Sequence, residues 1–140
     1  MTNMRHLMTA ACMSFVASAG ASGFAHAATI ALACKPTAME AASFAQMGYP
    51  DNAKQVLSVK IDTVKHTAGD WETYPGQDNP PTQPDKYYKA KVTKALATWT
   101  LPIDKDTGIG GAKRSLDLDS YVLTTIDPSG SSFYWDCAAP

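Results

Sequence analysis

Asp70 and Glu72 stand two residues apart in Gly69-Asp70-Trp71-Glu72-Thr73-Tyr74, interleaved with two aromatic side chains. Paired carboxylates of this kind are the equipment of glycoside hydrolysis, one held protonated as the acid and the other ionised. The segment carries no spacing particular to such enzymes, so the plainer expectation is a solvated loop that Trp71 and Tyr74 pin to a sheet. Further on, Asp104-Lys105-Asp106-Thr107-Gly108 opens like a calcium loop. Such a loop needs an oxygen donor at its fifth position and a bidentate Glu at its twelfth, where this chain has Gly108 and Ser115. Asp104 and Asp106 are therefore expected as turn residues, with Asp117 and Asp119 near enough in sequence to keep a weak calcium site in view. The third cluster is Lys86-Tyr87-Tyr88-Lys89-Ala90-Lys91-Val92-Thr93-Lys94. Lysines interleaved with tyrosines suit a polyanion, whereas Lys89 and Lys91 share one strand face, where lysines protect a sheet edge from aggregation. The same pair would rim a contact with a negatively charged protein.

The first 27 residues remove much of the remaining chemistry. Arg5 and His6 begin them, an apolar run from Leu7 to Phe24 follows, and Ala25-His26-Ala27 supplies a small-x-small cleavage signal. This is the pattern of a secretory signal peptide, which places the mature N-terminus at Ala28. Ser14, Ser18, Gly20, Ser22 and Gly23 dilute the run too much for a good membrane span. A lipidation box ending at Cys34 is the competing reading, but Leu32 stands one place too close to that cysteine.

Cleavage would take Arg5 from the 12 Lys and Arg and none of the 13 acids, leaving a net charge of −2. An acidic balance argues against nucleic acid as a partner. His6, His26 and Cys12 would also leave, so the mature chain keeps only His66, Cys34 and Cys137. That inventory excludes two-histidine acid–base catalysis and multi-histidine metal centres. A Ser-His-Asp triad would depend on His66, and no Gly-x-Ser-x-Gly elbow accompanies it. The even cysteine pair of an exported chain reads as a disulfide between Cys34 and Cys137. The residues imply no catalytic group, no cofactor and no metal.

The elements that must position these groups follow from periodicity. Thr29 to Cys34 suits a short strand. Thr37-Ala38-Met39-Glu40 fits a capping box, opening a helix that Gly48 ends. Leu57, Val59, Ile61 and Thr63 alternate with polar residues in a half-buried strand. Gly69 to Lys86 holds Pro75, Pro80, Pro81 and Pro84 and is expected as one long loop. Tyr87 to Leu101 reads as a strand whose parity slips near Lys94, as a bulge would make it. A Gly-containing loop (103–117), a strand (118–126), the turn Asp127-Pro128-Ser129-Gly130 and a last strand with Phe133, Trp135 and Cys137 on one face complete the chain. The expected fold class is α+β: one N-terminal helix packed on a four- to five-stranded, mainly antiparallel sheet, its ends joined by the disulfide, in a single domain over 28–140.

A poor catalytic inventory on a stapled scaffold points to an exported protein-binding module, of the inhibitor or immunity type, whose partner is another protein. Trp71, Tyr74, Lys89 and Lys91 are the expected contact residues. A small secreted carbohydrate-active hydrolase using Asp70 and Glu72, or a structural or adhesive envelope subunit, are the alternatives.

Overall fold

In the computed structural model, residues 29–140 are described; the expected signal segment, His6, His26 and Cys12 lie outside them. Eight strands run in sequence order around a closed antiparallel barrel. They are β1 (Thr29–Pro36), β2 (Val56–Asp62), β3 (Thr67–Thr73), β4 (Tyr88–Val92), β5 (Leu96–Thr100), β6 (Lys113–Asp117), β7 (Val122–Ile126) and β8 (Ser132–Ala138). One helix, α1 (Ala38–Gln46), and a 3-10 turn (Asn52–Lys54) join β1 to β2. The α+β expectation is overturned: the sheet has eight strands where four or five were expected, it closes on itself, and the helix has no buried residue.

Each missed strand has a physical reason. β3 was hidden because its inward positions carry Ala68 and Asp70, so no apolar alternation marks it. The slip near Lys94 is a tight turn between two strands: Thr93 N–H donates to the Leu96 carbonyl at 2.8 Å, and Val92 pairs with Ala97. No bulge is needed. β6 shows no apolar alternation because Arg114 occupies an inward position beside Leu116.

Where alternation was clear, it set the inside of the barrel. Leu57, Val59 and Ile61 are at most 1 % exposed, and cross-strand partners such as Leu32 with Val59 and Leu116 with Leu123 share the interior. β8 closes the circle on β1, with Cys34 directly opposite Cys137 and the disulfide formed between them. Cys34 is fully buried in this bridge, a position a lipid anchor could not share.

The capping box forms in part. Thr37 Oγ1 accepts from Glu40 N–H at 3.4 Å. Glu40 does not reach back to Thr37; its carboxylate accepts from Tyr134 N–H at 3.3 Å, and Thr37 N–H donates to the Tyr134 carbonyl at 3.1 Å. The cap thus fastens the helix to β8, where Phe44 meets Phe133 at 5.2 Å between ring centres.

The proline-rich segment folds back on the barrel wall. Pro84 is buried against Gly69 of β3, where a Cβ would stand 2.6 Å from Pro84 Cγ and 2.9 Å from the Lys86 carbonyl oxygen. Gly69→Ala is expected to push this segment off the wall and cost about 1–3 kcal/mol, the range for overpacking. Urea unfolding measures it, and an unchanged midpoint would mean the prolines are not seated there.

Candidate functional site

The barrel interior is committed to its own structure. Asp70 of β3 faces Arg114 of β6 across the lumen: Arg114 Nε donates to Asp70 Oδ2 at 3.4 Å and Nη2 to Oδ1 at 3.5 Å. Both side chains are 7 % exposed. Trp99 Nε1–H donates to the same Asp70 oxygen at 2.8 Å, and Arg114 also donates to Thr125 Oγ1. Trp135 Nε1–H completes the network on Thr125 at 3.2 Å. Both Asp70 oxygens accept charged or indole hydrogens, which makes this carboxylate the acceptor of a buried fork.

Glu72 lies two residues further along the same face of β3, exposed, and accepts from the Tyr74 hydroxyl at 3.0 Å. Burial, with the Glu72 charge beside it, raises the Tyr74 phenol above its ordinary value. Tyr74 is further tied to Gln77, whose Oε1 accepts from Tyr74 N–H at 3.1 Å. Trp71 sits within β3, half-buried, opposite Ser58 of β2.

Asp104 does the work of a turn. Its Oδ1 accepts from the amides of Asp106 at 2.8 Å and Thr107 at 3.1 Å, and those amides hold its carboxyl below the ordinary aspartate value. Among the described residues, no group of His, Cys, Asp and Glu is arranged to hold a metal ion. His66 is exposed, in the turn between β2 and β3.

The four expected contact residues do not form one site. β3 and β4 pair only through Thr67 with Lys89 and Ala68 with Tyr88. Trp71 stands four residues along β3 from Thr67, about 13 Å at ~3.3 Å per residue, with the segment that covers Gly69 in between. Lys89 and Lys91 instead join residues that sequence reasoning passed over. With Thr98 and Thr100 of β5 and Lys113 and Ser115 of β6, they line an open groove of about 820 Å³ on the outer wall. The register aligns Lys91, Thr98 and Ser115 in one row, while Thr100 faces Lys113 in the next. Edge protection does not explain these lysines, because β4 is paired on both sides and a closed barrel has no edge. Among the described residues, the one ion pair is Arg114 with Asp70; the three groove lysines face no carboxylate. The missed member, Lys113, had a sequence signal only in retrospect: it alternates with Ser115 on a strand whose inward residue is charged.

The chain direction sorts the connections. α1 with its 3-10 turn, the segment 74–87, the hairpin 101–112 and the turn 127–131 all leave the same end of the barrel, while short turns join β2 to β3, β4 to β5 and β6 to β7 at the other. Ten large apolar side chains are exposed among the described residues, and seven belong to the long connections: Met39, Met47, Tyr49, Tyr74, Tyr87, Ile103 and Ile109. No helix of the described residues is long and apolar enough to cross a membrane. No family model, no curated protein and no solved structure matches this chain.

Proposed function

We propose that this chain is an exported, non-catalytic protein-binding module that meets another protein with the loop-bearing end of its barrel. The observation that carries the reading is that seven exposed apolar side chains belong to three of the four connections that leave that one end. Loops held by a rigid scaffold are where recognition residues concentrate. The Arg5-to-Ala27 pattern and the Cys34–Cys137 bridge support export. Hydrolysis by Asp70 and Glu72 draws no comparable support, since the Arg114 fork and Trp99 occupy Asp70. An envelope subunit that grows strand on strand would need a free edge, and the barrel closes its own.

The test is capture from a periplasmic extract of the native host with three baits. Wild type and an opposite-end variant (Val64→Ser with Leu96→Ser) should recover the same protein. A loop-end variant (Met39→Ser, Tyr49→Ser and Ile109→Ser) should recover at least tenfold less, the loss expected for truncating interface anchors. Equal recovery by all three baits, or no protein held by wild type, refutes the proposal.

A further inference from the structure

Resting on the binding reading above, we infer that the partner is a protein with an extended acidic segment beside an apolar pocket. The acidic segment lies on the outer face of β4, β5 and β6, and the β5–β6 hairpin inserts Ile103 and Ile109 into the pocket.

The charge side is set by register. Lys89 and Lys91 are two residues apart on one strand, about 7 Å, and Lys113 stands two strands away, about 10 Å. The Lys89–Lys91 spacing matches carboxylates on alternate residues of an extended chain, and Lys113, set off to one side across β5, can meet a third acid carried beside that chain. The hydroxyls of Thr98, Thr100 and Ser115 lie between them and can donate to the same carboxylates or to main-chain carbonyls. None of the three lysines is within ion-pair distance of a carboxylate among the described residues. Asp117, at the far end of β6, accepts from the amides of Asp119 and Ser120, each at 2.8 Å. Asp104 is held by its turn, and Lys105 stands next to Asp106.

The apolar side is set by the hairpin, which is folded before any partner arrives. Leu101 N–H donates to the Ala112 carbonyl and Gly111 N–H to the Leu101 carbonyl, both at 2.9 Å; Asp104 N–H donates to the Ile109 carbonyl at 2.7 Å. Gly110 has φ +115°, and a Cβ there would lie 2.3 Å from the Pro102 carbonyl oxygen, so only glycine fits. Ile103 and Ile109 nevertheless remain 58 % and 74 % exposed. A rigid tip presenting two isoleucines loses little entropy on docking. Pro102 lines the groove as well, so wedge and lysine face are continuous.

These two halves together select a protein over a polyanion. A phosphate or sulfate polymer gains nothing from the isoleucines, whereas an acidic segment beside an apolar pocket engages both halves.

The experiment is a titration of the isotope-labelled mature chain, followed by amide NMR, with three probes. One is a 12-residue peptide of alternating glutamates around a central Leu-Phe pair, the second an all-glutamate 12-mer, the third a polyphosphate of similar length. The mixed peptide should shift the amides of β4, β5 and β6 together with those of residues 103–109, and bind more tightly than either other probe. Lys91→Glu with Lys113→Glu should weaken it about tenfold, and Ile109→Ser about fivefold; all three positions are solvent-facing, so folding is retained. Tighter binding of polyphosphate, indifference to Ile109→Ser, or shifts confined elsewhere would each overturn the inference. Capture of a host protein through the loop-bearing end, with no peptide response at β4 to β6, would sink this assignment alone and leave the broader one standing.

Discussion

Replacing Cys34 and Cys137 together by alanine is expected to lower the melting temperature by about 15 °C. The bridge joins residues 103 positions apart, and closing a loop of that length removes about 4–5 kcal/mol of unfolded-chain entropy in the chain-entropy treatment. For a domain of little more than a hundred residues, each kcal/mol moves the midpoint by roughly 4 °C. The topology concentrates the effect. β1 and β8 are the first and last strands, and they pair from Ala33 with Ala138 to Pro36 with Trp135. Every other seam of the barrel is formed between strands adjacent in the chain; this one must be closed from the two ends. Thermal melts of wild type with and without excess reductant, beside the double alanine variant, measure the loss. The reduced protein and the variant should melt alike, and amide exchange should accelerate first along the β1–β8 seam. A reduced protein that melts like the oxidised one would show that the barrel closes without the bridge.

What the sequence made legible was whatever announced itself by local pattern. Leu57, Val59 and Ile61 gave β2 because each inward position is apolar. Thr37 and Glu40 gave the start of α1, and Asp127-Pro128-Ser129-Gly130 gave a turn in which Asp127 accepts from Ser131 N–H at 2.9 Å. The cysteines gave the bridge by elimination. The strand count failed where inward positions are polar. Asp70 and Arg114 look like surface residues one at a time, and only the closed barrel brings β3 and β6 face to face across the lumen. A charged inward residue breaks the apolar alternation that reveals a strand, so the pair that braces the interior also hid two of the strands that form it.

The candidate site divides the same way. Lys89 and Lys91 were visible as a cluster, but their role was read from an assumed edge. Closure removes the edge and adds Lys113, which lies more than 20 positions along the chain. Trp71 drew notice for its residue type and proves to be part of a strand. Ile103 and Ile109 drew none, because nothing local distinguishes an exposed isoleucine on a braced hairpin from one headed for a core. That distinction depends on Gly110 and on hydrogen bonds spanning the hairpin.

Asp70→Ala is expected to destabilise the fold by about 3–5 kcal/mol, the cost of leaving one member of a buried ion pair without the other. Arg114 is 7 % exposed and has no second carboxylate to turn to among the described residues. Trp99 Nε1–H would lose its acceptor in the same stroke, and an orphaned buried donor adds its own desolvation cost. Removing both charges should be far milder. Asp70→Leu with Arg114→Met refills the lumen with apolar volume, and such replacements of buried pairs are often neutral or stabilising. The double variant should therefore recover most of the loss, leaving a coupling of more than about 2 kcal/mol in the mutant cycle. Urea unfolding of wild type, Asp70→Leu, Arg114→Met and the double variant gives the four corners. Additive losses would mean that the fork contributes nothing as a pair. The double variant also separates scaffold from site: it alters no residue on the outer lysine row or the hairpin tip, so it should hold its partner as wild type does. A coupling of that size, in a double variant that folds and still binds, would mark the Asp70–Arg114 pair as a strut between β3 and β6.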